Sequence, residues 1–149
     1  RALRIPDAAL RHFEDVELIV HAGDLSSLGV IGQLEAYAPV EAVLGNVELP
    51  EVVAALPIKR QIVVGGCVIG ILHILGDSVH YARNARREFP DARVVIFGHS
   101  HIPYLEDHDG LLLLNPGSAT DRRRQPHCSI ARLTIADGEP RAEIIALPL

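Results

Sequence analysis

Short apolar runs that stop at a glycine or a histidine recur through the first hundred residues of this chain. The runs are Leu18–Ala22, Val40–Leu44, Cys67–Leu72 and Val94–Phe97. Continuous apolar runs of this length are typical of strands buried in a parallel sheet. Helix-like segments separate most of them, so the front of the chain predicts an alternating α/β arrangement.

The segment after Phe97 has a different pattern, because apolar and polar residues alternate there and Asp-Gly pairs mark tight turns. The predicted strands are Tyr104–Glu106, Leu111–Leu114, Ser129–Ile135 and Arg141–Leu147. Such a pattern is typical of hairpins. The predicted helices are Pro6–Phe13, one capped by Ser26 or Ser27 that runs to Tyr37, Pro50–Leu56, and one capped by Ser78 with Val79, Ala82, Ala85 and Phe89 on one face. The whole predicts a mixed α/β fold with two sheets.

Composition places this chain among ordinary globular domains and excludes some functions. Its 149 residues are 48% hydrophobic and 22% charged, which fits a single domain over residues 1–149. The net charge of −5 argues against nonspecific binding of nucleic acid. Cys67 and Cys128 form no Cys-x-x-Cys pair, and no apolar run approaches the roughly 20 residues of a membrane helix. We therefore expect a protein of a reducing compartment, the cytoplasm, without membrane partners.

Polar side chains able to bind metal follow each of the four apolar runs. They are Asp24, Asn46, His73, His99 and His101. Taken singly, an aspartate cap, an asparagine turn or a core histidine is the more ordinary interpretation of each residue. Active sites of α/β sheets collect at the carboxyl ends of the strands, and imidazole and carboxylate groups suit zinc, iron or manganese. Their recurrence at that position favours a metal site.

The ordered motifs resemble those of the calcineurin-like metallophosphoesterases. They are Gly23-Asp24, Gly45-Asn46, His73, Gly98-His99-Ser100-His101 and Asn115-Pro116-Gly117-Ser118. The likeness extends from about Leu18 to Leu147 and is greatest to the small bacterial and archaeal phosphodiesterase branch, to which Vps29-like scaffold proteins are related. It implies two packed mixed β-sheets flanked by helices in a four-layer sandwich.

The resemblance also implies a pair of divalent metal ions, with manganese expected and zinc, iron or nickel as alternatives. Asp24 would bridge the ions; Asn46, His73 and His99 would complete one shell, and His101 would bind the other ion. These same residues would be the catalytic ones. A hydroxide shared by the ions would attack the phosphorus of a small phosphodiester or phosphate ester.

Two departures from the family pattern affect these expectations. The family's opening Asp-x-His does not occur, and the chain begins at Arg1 and contains no Met. We expect that the N-terminal strand is missing from this chain; the alternative is one crippled metal site. Val47 stands where many members have a histidine, which removes an obvious general acid, although the phosphodiesterase branch often lacks that histidine too.

Two arginines and the alternative functions complete the sequence-based hypotheses. Arg122 and Arg123 are candidates for binding a substrate phosphate, and solvated loop arginines are the competing interpretation. His21 is interpreted as a packing residue. The predicted function is a metal-dependent phosphoesterase, and we expect a phosphodiesterase rather than a monoesterase. A homo-oligomer is compatible with the sequence. The alternative is a catalytically weak Vps29-like protein-interaction scaffold with the same fold.

Overall fold

The computed structural model describes residues 5–24, 28–45 and 50–148. The helices are α1 (Asp7–Leu10), α2 (Leu28–Glu35), α3 (Pro50–Ala55) and α4 (Tyr81–Glu88), with 3₁₀ turns at Arg11–Phe13 and Ser78–His80. The strands are β1 (Ile19–His21), β2 (Val40–Ala42), β3 (Lys59–Val64), β4 (Cys67–Leu72), β5 (Val94–Ile96), β6 (Tyr104–His108), β7 (Leu111–Asn115), β8 (Ser129–Ala136) and β9 (Glu139–Ala146). None of the helices in these ranges has the length and apolarity needed to span a membrane.

The largest sheet has five strands in the order β3-β4-β5-β7-β6. Its centre is parallel, because β5 pairs in parallel with both β4 and β7, whereas β3 and β6 run antiparallel at the edges. The short strands β1 and β2 form a separate parallel pair, and β8 and β9 form a hairpin. The central strands are almost wholly buried, as their continuous apolar sequences predict.

Three apolar clusters hold the elements in layers. One cluster joins a face of the five-stranded sheet to the inward residues of β8 and β9, with Val43 between them. On the opposite face of that sheet, Ala85 and Phe89 of α4 pack against β5 and β7. The third cluster packs residues of α1, α2 and α3 against Ile19 of β1 and Ile130 of β8. The two small sheets together form one layer against the five-stranded sheet. The resulting order of helices, sheet layer, sheet layer and helix confirms the predicted sandwich.

The predicted elements are confirmed with small shifts of their ends, except at the start of α4. Val79 does not share the buried face with Ala85 and Phe89 and is instead exposed. The cause is the 3₁₀ turn at Ser78–His80, whose tighter winding breaks the helical spacing on which that prediction depended. Ser78 is not a cap either, because the N-cap position falls on Asp77. The predicted caps Ser26 and Ser27 lie outside the described residues.

Candidate metal centre

The candidate site lies where the strand ends of two different sheets meet. β1 belongs to the two-stranded sheet, whereas β4 and β5 belong to the five-stranded one. The β4–β5 pairing continues past both strands, because the Gly98 N–H donates to the His73 carbonyl at 2.9 Å. From there the His73 ring reaches across to the end of β1, where its Nδ1 lies 2.7 Å from the Ala22 carbonyl oxygen. His73 therefore links the two sheets.

The tautomer of His73 follows from this contact. A carbonyl oxygen can only accept a hydrogen bond, so Nδ1 carries a proton and donates a hydrogen bond to the Ala22 carbonyl. Nε2 then faces Asp24, 3.1 Å from its Oδ2. The His73 side chain is only 5% exposed and that of Asp24 is 25% exposed. A buried imidazole nitrogen beside a carboxylate, with its other nitrogen held by a backbone carbonyl, is the donor arrangement of metal-binding histidines.

Two glycines allow this close approach. Gly23 has φ +108°, and a Cβ built on it would lie 2.6 Å from His73 Nδ1. A Cβ at Gly45 would overlap the Asp24 carboxylate. Because any side chain at either position would push Asp24 or His73 away, the glycines predicted merely to end strands have a second role here, which is to bring the ligands together.

His99 and His101 occupy a strained turn beside this pair. The His99 ring stands nearly perpendicular to that of His73, at 82°, with 5.3 Å between ring centroids. Asp24, His99 and His101 all have left-handed backbones, with φ of 62°, 76° and 61°. Such a conformation costs a non-glycine residue about 1–2 kcal/mol. Strain of this kind persists where surrounding contacts hold it, and it is concentrated at functional sites.

His101 is oriented by a loop that follows β7. Its Nδ1 donates to the Asp121 carbonyl at 2.7 Å, which leaves Nε2 as the nitrogen that can accept or coordinate. Ser118 supports that loop, because its Oγ accepts the Asp121 N–H at 3.0 Å. In His101, as in His73, Nδ1 donates to a backbone carbonyl and Nε2 can accept a hydrogen bond or coordinate a metal ion.

The donor set fits a divalent ion by chemistry and orientation, although the side chains do not enclose one. Within residues 5–24, 28–45 and 50–148, no three His, Cys, Asp or Glu side chains converge closely enough to hold a metal ion. The predicted ligand Asn46, with Val47 and Glu48, lies outside the described residues. Gly45, its described neighbour, lies against Asp24. The structure therefore places His73 against Asp24 and beside His99, and it orients His101 from the adjacent loop.

The two candidate arginines have different surroundings. Arg122 Nη1 donates to the carbonyls of Gln125 and Pro126, at 3.0 and 3.3 Å, and so closes its own loop. Arg123 Nη1 instead lies 3.4 Å from the His99 carbonyl. Both residues are exposed. Arg123 is therefore adjacent to the candidate ligands, and the guanidinium of Arg122 is directed to its own loop.

His21 has a closer relation to the site than simple packing. Its Nδ1 accepts the Gly23 N–H at 3.2 Å, which ties β1 to the turn that carries Asp24. Burial lowers the pKa of His21 to about 4, against the opposing effect of the Asp24 charge and with a smaller contribution from His73. The ring is consequently neutral near pH 7. No sequence pattern indicated this contact, because it joins a ring nitrogen to a backbone N–H.

Comparisons with known proteins agree with this architecture. Residues 1–138 match the model of the calcineurin-like phosphoesterase superfamily domain. A probable metallophosphoesterase of Methanothermobacter thermautotrophicus is 37% identical over 153 aligned positions, covering 97% of this chain and 84% of that protein.

Solved structures with the same fold include the zinc complex of Vps29 from Entamoeba histolytica, at TM-score 0.78 and 24% identity, covering 98% of this chain and 92% of that one. An archaeal phosphodiesterase superposes at TM-score 0.69 with 22% identity, covering 93% of this chain and 88% of that one. These likenesses concern the fold, and the match to the family model and the sequence relative identify the family. The chain belongs to the calcineurin-like phosphoesterase superfamily.

Proposed function

We propose that this protein is a metal-dependent phosphoesterase that hydrolyses small phosphodiesters with the help of two divalent ions. The observation that carries the proposal is the pairing of His73 Nε2 with Asp24 Oδ2 at 3.1 Å, while His73 Nδ1 is fixed on a carbonyl. The family membership and the metallophosphoesterase relative support the ester-hydrolysing, metal-dependent part. The structural neighbour described as an archaeal phosphodiesterase supports the preference for diesters.

In this proposal Asp24 would bind both ions. Asn46, His73 and His99 would complete the site of one ion, and His101 would bind the other. When bound, two divalent ions lower the pKa of a water molecule and neutralise the oxygens of a phosphoryl group. Manganese is the proposed metal, because mixed carboxylate, amide and imidazole donors suit it, with zinc, iron or nickel as alternatives.

The protein's own groups orient these ligands and the substrate. Ala22 and Asp121 hold the Nδ1 atoms of His73 and His101, so that each Nε2 is presented in a fixed direction. Arg123 is the proposed contact for a substrate phosphate, because its guanidinium lies beside the His99 carbonyl and is exposed. Arg122 has a weaker case, since its guanidinium already binds two carbonyls of its own loop.

Hydrolysis of bis(p-nitrophenyl) phosphate tests the proposal. Purified protein should release p-nitrophenol when manganese is added and stop when a chelator removes it. The monoester p-nitrophenyl phosphate, measured at the same concentration, should be hydrolysed more slowly. An Arg123→Gln variant should raise KM more than it lowers kcat, with Arg141→Gln on β9 as the matched control. Folded protein that turns over neither ester with any divalent ion would contradict the enzymatic role.

A protein-interaction scaffold is the second candidate. Val63 in the edge strand β3 and Ile58 just before that strand are exposed, and exposed apolar residues at a sheet edge suit a protein partner. Vps29 shares the fold. A scaffold would keep its fold and bind metal without turnover, whereas the proposed enzyme loses turnover and metal together in chelator.

A further inference from the structure

The turn that carries His99 and His101 rests on Asn115, the last residue of β7. Asn115 is 0% exposed, which is unusual for a polar side chain. β7 pairs in parallel with β5, so the end of β7 lies beside the start of the metal-ligand turn. A fully buried amide must satisfy its donors and acceptor within the protein. The hydrogen-bond partners of Asn115 therefore identify the segments that it supports.

The hydrogen bonds of Asn115 connect two loops. Its Oδ1 accepts the N–H of Gly117 at 2.9 Å, which fixes the orientation of the amide. The Nδ2 group then donates to the Gly98 carbonyl and to Ser100 Oγ, each at 3.2 Å. Ser100 Oγ also accepts the Ile102 N–H at 3.1 Å. One buried side chain thus forms hydrogen bonds with the residues on both sides of His99.

These hydrogen bonds are made where the backbone is strained. His99 and His101 have left-handed backbones, and between them the Ser100 N–H donates to the Gly98 carbonyl at 3.0 Å. Histidine has no glycine-like freedom to adopt that conformation, so contacts from elsewhere must maintain it. Asn115 reaches the turn from another strand and bonds to the chain neighbours of both proposed ligands.

We propose that Asn115 is a positioning residue that, through Gly98 and Ser100, holds the imidazoles of His99 and His101 in the arrangement that binds metal. The inference rests on the proposed function, because it takes both histidines as ligands. A side chain that supported the fold alone would change the stability of the metal-free protein and leave the metal affinity of the folded protein unchanged.

Metal affinity and ring orientation test this inference in two variants. Ser100→Ala removes one acceptor of Asn115 at a partly exposed position, and Asn115→Asp keeps the acceptor for Gly117 while removing the donor. Competition with a metal indicator should show that Ser100→Ala binds manganese and zinc about tenfold more weakly. Asn115→Asp should be weaker still. Ser100→Thr keeps the hydroxyl and should restore the affinity, and Ser78→Ala, in the 3₁₀ turn before α4, should match the wild type.

A second readout needs no metal. Proton–nitrogen NMR spectra of the His99 and His101 rings, recorded in chelator, should change in Asn115→Asp and in Ser100→Ala and remain unchanged in Ser78→Ala. Ser100→Ala also removes the acceptor of the Ile102 N–H, so Asn115→Asp decides the matter, with Asn115→Ser as the second variant if Asn115→Asp does not fold. Wild-type affinity and wild-type ring spectra in the folded Asn115 variant would overturn the inference. A wild-type protein that binds no divalent ion would contradict the proposed function, and the metal-free spectra would still show whether Asn115 holds the turn.

Discussion

The strand-end turns of the candidate site and the hairpin turns of the molecule share one backbone conformation but reach it differently. Asp109 and Asp137, in the β6–β7 and β8–β9 turns, have φ of 52° and 55°. Each is followed by a glycine with positive φ, and Asp-Gly is the pair that such tight turns favour. His99 and His101 have similar φ values, but neither is followed by a glycine.

The source of support explains this difference. At the β6–β7 turn the support is local, because Asp107 Oδ1 accepts the Gly110 N–H at 2.8 Å. At the turn of His99 and His101, local hydrogen bonds of Ser100 are joined by hydrogen bonds from Asn115 and Asp121, which lie in other segments. Local sequence is therefore enough to form a hairpin turn that only connects two strands. The turn of His99 and His101 also depends on contacts from other segments, which hold its residues in their conformation.

The largest expected effect distinguishes two aspartates of the same backbone conformation. Asp24→Asn removes a charge from the proposed bridging ligand and should lower diester hydrolysis by at least about 100-fold. Asp137→Asn makes the same change in the exposed β8–β9 turn and should leave the rate unchanged. Rates are measured with bis(p-nitrophenyl) phosphate and manganese, after circular dichroism shows that both variants are folded. Equal rates in the two variants would remove Asp24 from the site.

Metal binding should differ between the two oriented histidines. An asparagine at position 73 can reproduce the Nδ1–H donor to Ala22 but offers no Nε2, so His73→Asn should weaken the tighter-bound ion by about 100-fold. His101→Asn should weaken that ion by less than about tenfold, because His101 is assigned to the other ion.

Calorimetric titration with manganese measures both affinities, and His127→Asn on an exposed loop is the matched control. We expect one ion to bind tightly and the other more weakly, since the second has only Asp24 and His101 among the proposed ligands. Two tightly bound ions of equal affinity would show that the ligands are wrongly assigned.

Acid should lower the stability of the folded protein in part through the buried ring of His21. The folded-state pKa of His21 is about 4, below its usual 6.5, so the unfolded chain binds the proton more readily between these values. This contribution to stability is present in full above pH 6.5 and is lost as the pH falls toward 4.

His21→Asn keeps an acceptor for Gly23 but does not titrate. Between about pH 7 and pH 4.5, its free energy of unfolding in chelator should fall by about 2 kcal/mol less than that of the wild type. Urea denaturation at the two pH values measures the difference, and His127→Asn should behave like the wild type. A parallel fall in the wild type and in His21→Asn would show that the neutral ring contributes nothing to acid sensitivity.

The smallest effect compares two glycines with similar positive φ. Gly117→Ala places a Cβ against Ser129 Oγ, whereas Gly138→Ala, in the β8–β9 turn, meets no atom within 4 Å. Both variants lose the freedom of glycine, at about 1 kcal/mol each. Gly117→Ala should lose about 1 kcal/mol more because of the overlap. Urea unfolding gives both values, and an equal loss would indicate that the loop beneath the site adjusts freely.

The helices and strands of this fold are largely readable from local sequence. Buried parallel strands such as β4 and β5 have continuous apolar sequences, and the hairpins have Asp-Gly turns, so both kinds of element were predicted close to their observed bounds. Val79 was misplaced because a 3₁₀ turn and a regular helix cannot be distinguished over three residues.

The residues of the candidate site were also predicted from sequence, but their supporting contacts were not. Asp24 and His73 were expected at a shared edge, and the structure places them within 3.1 Å. The contacts of His21 and Asn115 were not predicted, because each contact is a hydrogen bond between two specific atoms. Periodicity predicts which face a residue occupies and does not predict such a partner.

The sequence by itself determined the element types, the apolar strands of the core and the polar residues that follow them, since these depend on periodicities within a few residues. Only the tertiary structure decided that Asp24 comes from one sheet and His73 from another, that the Ala22 and Asp121 carbonyls accept from His73 and His101, and that Asn115 bonds to the residues on both sides of His99. The physical reason is distance along the chain. His73 lies 51 residues from the carbonyl that fixes its tautomer, and only the packing of two sheets brings those atoms within 2.7 Å.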